Sequence, residues 1–367
     1  MDLSVVIPCL NESETLAICI EKAKKQINKL KLDAEIIISD NGSTDGSQEI
    51  AINMGAKVSP CKIKGYGSAV INGINSSKGK FILIADGDDS YNFNDLPKFY
   101  EKINQGYDLV QGCRMPAGGG KIEKGAMPLS HRIIGNPFFS RLVKIFYSVQ
   151  FNDVYCGMKI IRNDFFKNSN FFSKGMVFCL EILIKSKIME AKVTEIPITL
   201  HKDGRINSKS HLKTIKDGLK TLKFILISSP KWIFFFPSIL SLLTCLGLFL
   251  FILNSTNYNF TNTKIITLML LFYTSFQFFM LGLFSSLRAK NLGLSKSLWL
   301  NKFFKLFSLR LSIIISFIMI VIPFFYLIMD FKFFSTEITF LLLSFNIFFG
   351  VSLAGNSLTI SLLSLNK

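Results

Sequence analysis

A chain of 367 residues with a mean hydropathy of +0.39 and a formal net charge of +17 is long enough for one full soluble core and something more. Its seven cysteines form no CxxC pair, which argues against a zinc site or a disulfide frame and fits a reducing compartment. The basic excess lies within residues 121–229, beside the apolar half, and no nucleic-acid module accompanies it; an anionic lipid surface or a lipid phosphate is the expected partner, and nucleic acid is not.

The first strand is expected at 3–7. With Met1 leading straight into it, no signal peptide is expected. Ser13 stands where an N-cap would open a helix over 13–30. A second strand at 34–39 ends at Asp40, a short helix follows at 45–54, and a weak third strand at 57–60. Residues 67–77 read as a helix, 80–85 as the fourth strand, 94–104 as a helix and 107–111 as the fifth strand. This alternation predicts an α/β fold, a mostly parallel sheet with helices on both faces. Right-handed crossovers would align the strand ends Pro8, Asp40 and Asp86 along one rim.

Residues 113–130, with Gly118, Gly119 and Gly120 in a row and Met127-Pro128 beyond, are expected to be a loop. An amphipathic helix is expected at 131–147 and a late strand at 193–200. Between 211 and 229, Leu212, Ile215, Leu219, Leu222, Ile225 and Leu226 share one helical face, with Lys213, Lys216, Lys220 and Lys223 elsewhere. That pattern suits a helix lying in a membrane interface; a helix packed on the soluble core would show a similar stripe.

Four uncharged apolar stretches follow, at about 233–253, 265–287, 311–329 and 338–365, and each reaches the ~18–20 residues needed to cross a bilayer. The segment 288–310 carries six Lys and Arg and no acid, which places it, with the amino-terminal domain, on the cytoplasmic side. Four crossings would return the carboxyl terminus to that side. The expected organisation is a soluble domain at 1–210, an interfacial helix at 211–229 and a four-helix transmembrane region at 230–367, in the cytoplasmic or an ER-type membrane.

Three strand ends bear the polar groups. Pro8-Cys9-Leu10-Asn11-Glu12 follows the first, Asp40-Asn41-Gly42-Ser43-Thr44-Asp45-Gly46 the second, and Asp86-Gly87-Asp88-Asp89 the fourth. Clustered carboxylates repel unless something positive neutralises them, and Mg²⁺ or Mn²⁺ carrying a diphosphate would do so. A solvated Asp-rich turn is the alternative. Carboxylates also suit the N–H edge of a uracil or guanine and the diol of a ribose. Lys64-Gly65-Tyr66-Gly67 adds a cation and two glycines near a helix start, where backbone N–H groups favour anions, or else it is an ordinary turn.

"VVIPCLNE", "ISDNGSTDGS" and "LIADGDDSY", in this order and at these intervals, resemble the motifs of family 2 glycosyltransferases with a GT-A fold. "DLVQGCR", "GAMPLSHRIIGNP", "CGMKIIRNDFF", "GMVFCLEI" and "EIPITLHKDGR" narrow the resemblance to polyprenyl-phosphate hexosyltransferases, similar to dolichol-phosphate mannose or glucose synthases. The likeness covers residues 1 to about 230. It implies that Pro8, Asn11, Glu12, Asp40 and Asp45 hold the nucleoside of a UDP- or GDP-hexose, with Asn41, Lys64, Gly65 and Gly87 lining the same site. Asp86 and Asp88 would hold the metal and diphosphate. Ser90 stands where such synthases often have Gln as a further metal ligand, which leaves Ser90 or a water as the ligand here. Arg114 and Arg132, with Asn136 one helical turn on, match the acceptor-phosphate site, and Arg205 a residue that meets the donor diphosphate. The Ser-Lys that usually follows is closer here, at Ser208 and Lys209.

The implied reaction is an inverting transfer in which a polyprenyl phosphate oxygen attacks the anomeric carbon. That nucleophile is already charged at neutral pH, so no base is required, and Asp88, Arg114, Arg132 and Arg205 form the expected catalytic set. A glycan or lipid hydroxyl acceptor would need a base, for which Glu181 is the candidate. A different class of reading makes the chain a membrane assembly scaffold that only binds nucleotide sugar. A homo-oligomer is compatible with this reading.

Overall fold

The structure, a computed structural model, describes residues 1–206, 214–254, 261–296, 299–300, 302–303, 308–328 and 336–365. Its contacts divide the chain into two compact units, 1–225 and 226–367.

The first unit alternates as expected: β1 (Leu3–Cys9), α1 (Leu16–Lys29), β2 (Ala34–Asp40), α2 (Ser47–Asn53), β3 (Lys57–Pro60), α3 (Tyr66–Asn75), β4 (Phe81–Ile84), α4 (Leu96–Asn104) and β5 (Leu109–Cys113). β6 (Lys121–Ile122), α5 (Asn136–Tyr147), β7 (Lys159–Arg162), α6 (Asn163–Lys167), α7 (Phe178–Ile188), β8 (Val193–Pro197) and β9 (Thr199–Leu200) follow, and α8 (Thr214–Ser228) begins in this unit and ends three residues past its boundary. The seven-stranded sheet runs β3-β2-β1-β4-β7-β5-β8. β1, β2, β3 and β4 are mutually parallel, as are β5 and β8, whereas β7 is antiparallel to both β4 and β5.

The central strands are apolar because both faces are covered. Leu3, Val5 and Ile7 pack with Leu16, Ile20, Phe93 and Phe99 in one core cluster. On the other face α3 comes so close that a Cβ on Gly73 would lie 2.4 Å from Val6 Cγ1. The register pairs Cys9 with Asp40 and Val6 with Ile84, so the ends of β1, β2 and β4 share one rim.

Several local expectations change. Strand β7 was not foreseen: Lys-Ile-Ile-Arg is too short to show a period, and nothing in it distinguishes a buried strand from a buried helix turn. The expected loop at 113–130 contains β6, which pairs in parallel with β9 in a separate two-stranded sheet. The single strand expected at 193–200 therefore divides around Ile198, with β8 on β5 and β9 on β6. The helix expected at 131–147 opens as a π-helical turn, His131–Gly135, before α5. Of the expected interfacial helix, the part before 214 lies outside the described residues, as do Ser208 and Lys209. In α8, Ile215 and Leu219 are exposed and Ile225 is fully buried, so its apolar residues serve two surroundings rather than one.

The second unit is helical, with a π-helical turn at Lys231–Phe235, α9 (Phe236–Asn254), α10 (Asn262–Asn291), α11 (Leu309–Ile328) and α12 (Thr336–Leu365). Among the described residues three helical segments are long and apolar enough to cross a membrane: Lys231–Asn254, Asn262–Asn291 and Glu337–Ser361. The stretch expected at 311–329 falls on α11, an apolar helix that continues past Pro323; among the described residues its apolar part is Leu309–Pro323, and residue 329 lies outside them. Small polar groups join the spans. Ser238 and Ser275 each donate a hydroxyl to the other's backbone carbonyl at 2.8 Å, and Gln277 Nε2 donates to Ser352 Oγ at 2.6 Å.

Candidate active site

The rim at the ends of β1, β2 and β4 collects the polar residues. Asn11 adopts the left-handed region, φ 57°, which turns the chain after β1 so that its Oδ1 accepts from Thr44 N at 2.8 Å and its own N–H donates to Ser43 Oγ. Asp40 accepts from Gly42 N at 3.0 Å, Ser43 N at 3.1 Å and Gln48 Nε2 at 2.8 Å. Asp45 accepts from Ser13 N and from the Ser47 hydroxyl. The two loops thus bind each other, and these side chains shape the rim by stabilising orphaned backbone N–H groups.

Asn41 links the rim to the start of α3. Its Oδ1 accepts from Gly65 N at 2.7 Å and its carbonyl accepts from Lys64 Nζ at 2.6 Å. Pro8 is buried on β1 opposite Ser39, and the Gly87 carbonyl accepts from Thr15 Oγ1 at 2.6 Å.

The acids after β4 separate by role. Asp86 is half-buried with its Oδ1 enclosed and lacking a hydrogen-bond partner. Burial and the neighbouring Asp88 charge push its carboxyl up to about 7, opposed by Tyr66, Arg114 and Lys159. Asp88 Oδ1 accepts from Ser90 N at 3.1 Å and from Ser90 Oγ at 2.6 Å. Ser90 thereby orients Asp88, and its hydroxyl oxygen keeps its lone pairs. Asp89, at φ 58°, turns away to pair with Lys22 at 2.7 Å. Glu12, burial of which pushes its carboxyl up to about 8 despite the Arg205 charge, completes the acidic wall, and its Oε2 is also enclosed without a partner. Arg205 bridges this wall: Nη1 donates to Glu12 Oε1 at 3.1 Å, Nη2 lies 3.6 Å from Asp88 Oδ2, and Asp203 holds it from behind. Among the described residues no ready-made metal cluster of three His, Cys, Asp or Glu exists. One or two carboxylates plus substrate phosphate oxygens suffice for Mg²⁺, so Asp86 and Asp88 fit such an ion.

The three residues expected at an acceptor phosphate do not act alike. Arg114 is buried and forked onto Asp153, Nε to Oδ2 at 2.7 Å and Nη2 to Oδ1 at 2.8 Å, while Nη1 donates to Tyr91 Oη at 3.1 Å. Asn136 Nδ2 donates to the same Asp153 Oδ1 at 2.6 Å. The Arg114 charge is thus already matched inside the protein, and Asn136 serves the same carboxylate; Arg132, on the π-helical turn, is exposed. Burial alone would raise Asp153, yet Arg114 and Asn136 hold its carboxyl below the usual range. Nothing in "FNDVYCG" marked Asp153 beforehand, whereas Asp203 stood two positions from Arg205 and was legible.

Glu181 is fully buried. Its oxygens accept from Phe172 N at 3.1 Å and Ser173 N at 2.8 Å and pair with Lys185 at 2.8 Å. No face of it is left for a substrate hydroxyl, which overturns its candidacy as a base.

An open, mostly parallel sheet with acids gathered at one carboxyl rim defines the class: a GT-A domain followed by membrane-type helices. The family model for Glycosyl transferase family 2 matches residues 4–169. The low-salt glycan biosynthesis hexosyltransferase Agl6 of Haloferax volcanii is 32% identical over 237 residues, 64% of this chain and 55% of that protein. The dolichyl-phosphate hexose transferase of the same organism is 30% identical over 199 residues, 54% of this chain and 82% of the relative. A mycobacterial protein of solved structure superposes with a TM-score of 0.50 at 17% identity, over 62% of this chain and 74% of its own, a likeness of fold. The chain belongs to glycosyl transferase family 2. It spans about half the length of Agl6.

Proposed function

We propose that the chain is a membrane-bound inverting glycosyltransferase that moves a hexose from a UDP- or GDP-sugar to a polyprenyl phosphate. The observation that carries the reading is the acidic wall of Glu12, Asp86 and Asp88 bridged by the guanidinium of Arg205, a place where one diphosphate would meet both a metal-binding pair and a fixed cation. The relative whose name is dolichyl-phosphate hexose transferase supports the choice of acceptor.

Asp86 and Asp88 would hold Mg²⁺ or Mn²⁺, which when bound neutralises the leaving diphosphate. The loops of Asn11, Asp40, Asn41 and Asp45 present the nucleoside site, and Lys64 stands at its edge. Arg205 stabilises charge on the leaving group as the bond to the anomeric carbon breaks. The acceptor phosphate oxygen attacks that carbon from the opposite side, and Arg132 is the exposed cation that meets the phosphate; Arg114, held by Asp153, braces the wall beside Tyr91. Without a free carboxylate at Glu181, a nucleophile that needs no deprotonation is favoured over a hydroxyl. In this reading the first unit faces the cytoplasm, on the same side as the Lys- and Arg-rich segment 288–310, and α8 lies in the interface.

The test is incubation of membranes holding the protein with labelled nucleotide sugars, polyprenyl phosphate and Mg²⁺ or Mn²⁺, followed by solvent extraction. Metal-dependent label in an acid-labile lipid fraction supports the reading. Its absence with every common UDP- and GDP-hexose overturns it.

A further inference from the structure

A charged pair fully enclosed in a helix is an expensive way to gain stability, since two ions must leave water. Glu181 and Lys185 form such a pair on α7, 2.8 Å apart, with relative exposures of 0% and 2%. Neither side chain faces solvent or the acidic wall. Both face the segment 170–173 instead. Glu181 accepts from the N–H groups of Phe172 and Ser173, and Lys185 Nζ donates to the Asn170 carbonyl at 2.5 Å. The ammonium also lies 5.2 Å and 4.8 Å from the ring centres of Phe171 and Phe172. Asn170 itself is at φ 46°, a bend that needs holding.

What the clamped segment touches is the start of α3. The Lys174 carbonyl accepts from Ser68 N at 3.0 Å, one of the N–H groups that a helix start leaves unpaired. The fit is close: a Cβ on Gly65, which is at φ 126°, would lie 2.2 Å from the Lys174 carbonyl oxygen, and one on Gly67 would lie 2.1 Å from that of Ser173. Lys64, which donates to the Asn41 carbonyl, directly precedes Gly65, and Tyr66, whose hydroxyl is enclosed beside Asp86, sits between the two glycines.

We propose that the Glu181–Lys185 pair is a positioning device for the donor site: by fixing the Ser173 and Lys174 carbonyls against Gly65 and Gly67, it sets where Lys64 and Tyr66 stand against Asn41 and Asp86. Glu181 touches no substrate; it acts through the turn. The assignment rests on the donor-binding reading given above, and its test separates the two.

Full-length wild type, Glu181→Gln, Lys185→Met and the double variant are purified in detergent. Hydrogen–deuterium exchange is followed in the peptide covering 64–70, and UDP and GDP binding with Mn²⁺ by calorimetry. The KM values for donor and for polyprenyl phosphate are measured in parallel. Glu181→Gln should speed exchange in that peptide and weaken nucleotide binding about ten- to a hundredfold, the cost of a misplaced site. The acceptor KM should stay within about twofold, because the hydrogen bonds of Glu181 and Lys185 run to residues 170–173 and not to the turn of Arg132. The double variant should recover part of the loss, because no buried charge is then left alone. Unchanged exchange, unchanged nucleotide affinity, or equal losses in both KM values would each overturn the assignment. Wild type that binds neither nucleotide would overturn the donor reading itself, and the donor role of the clamp with it.

Discussion

Arg205 Nη1 lies 3.1 Å from Glu12 Oε1, although 193 positions separate them. The contact folds the segment after β9 back over the rim, where Gly204 N also donates to the Asp88 carbonyl and Ile206 N to Glu14. Arg205 is thereby held on three carboxylates, those of Glu12, Asp88 and Asp203, in a place suited to a leaving diphosphate. Arg205→Ala should cost about 10²–10³ in kcat, the range for removing one preorganised donor from a developing charge. Arg205→Lys should recover only part, because a single ammonium cannot reproduce the fork. Retained turnover in Arg205→Ala, measured with labelled donor, would remove the residue from the chemistry.

The same pair gives a pH signature. Glu12 is pushed up to about 8 in the fold, mainly by burial, from an ordinary carboxylate value in the unfolded chain. A raised carboxyl favours the protonated fold, so its contribution to stability is present below the unfolded pKa and is lost as pH climbs through about 8. Ligand-free protein should therefore lose Tm between pH 5 and 9, and Glu12→Gln should lose less over the same window. Asp86, raised to about 7, adds to the wild-type slope and remains in the variant. Parallel Tm curves for the two proteins, recorded by calorimetry, would show that Glu12 is not the titrating group.

Asp153 and Arg132 should fail in opposite ways. Asp153→Asn leaves the Arg114 guanidinium buried without its counter-charge, which costs about 3–5 kcal/mol. In a unit of this size that is a fall of several degrees in Tm. Arg132→Ala, at an exposed position, should leave Tm within about a degree and raise KM for polyprenyl phosphate without altering KM for the donor. A rise in donor KM alone would assign Arg132 to the other substrate.

The strand–helix alternation and the shared rim were legible because β1, β2 and β4 are each an apolar run with a polar turn at its end. The acids of the candidate site were legible for the same reason: Asp40 closes β2, and Asp86 comes two residues after β4. What fills the space behind them was not. Whether Arg114 meets a ligand or a carboxylate depends on Asp153, 39 positions away on a segment without periodic pattern. The burial of Glu181 was hidden because α7 is apolar nearly all round, so no face of it announced the core. Strand β7 escaped for want of length, and it reverses the sheet direction that alternation alone implies.

Asp88 and Ser90 provide the sharpest separation of an enzyme from a scaffold. Asp88 lies between two roles: its Oδ1 is satisfied by Ser90, and its Oδ2 faces Arg205 at 3.6 Å. Asp86 Oδ1 lacks a hydrogen-bond partner, so each acid keeps an oxygen that an added cation could take. Asp88→Ala should abolish metal-dependent transfer, and chelation with EDTA should silence wild type reversibly. Ser90→Ala, which frees Asp88 to rotate but removes no ligand, should raise the metal concentration for half-maximal activity several-fold and leave the rate at saturating metal nearly intact. If Ser90→Ala instead lost turnover that no metal concentration restored, the hydroxyl would be a ligand after all, and its bond to Asp88 a feature of the metal-free state alone.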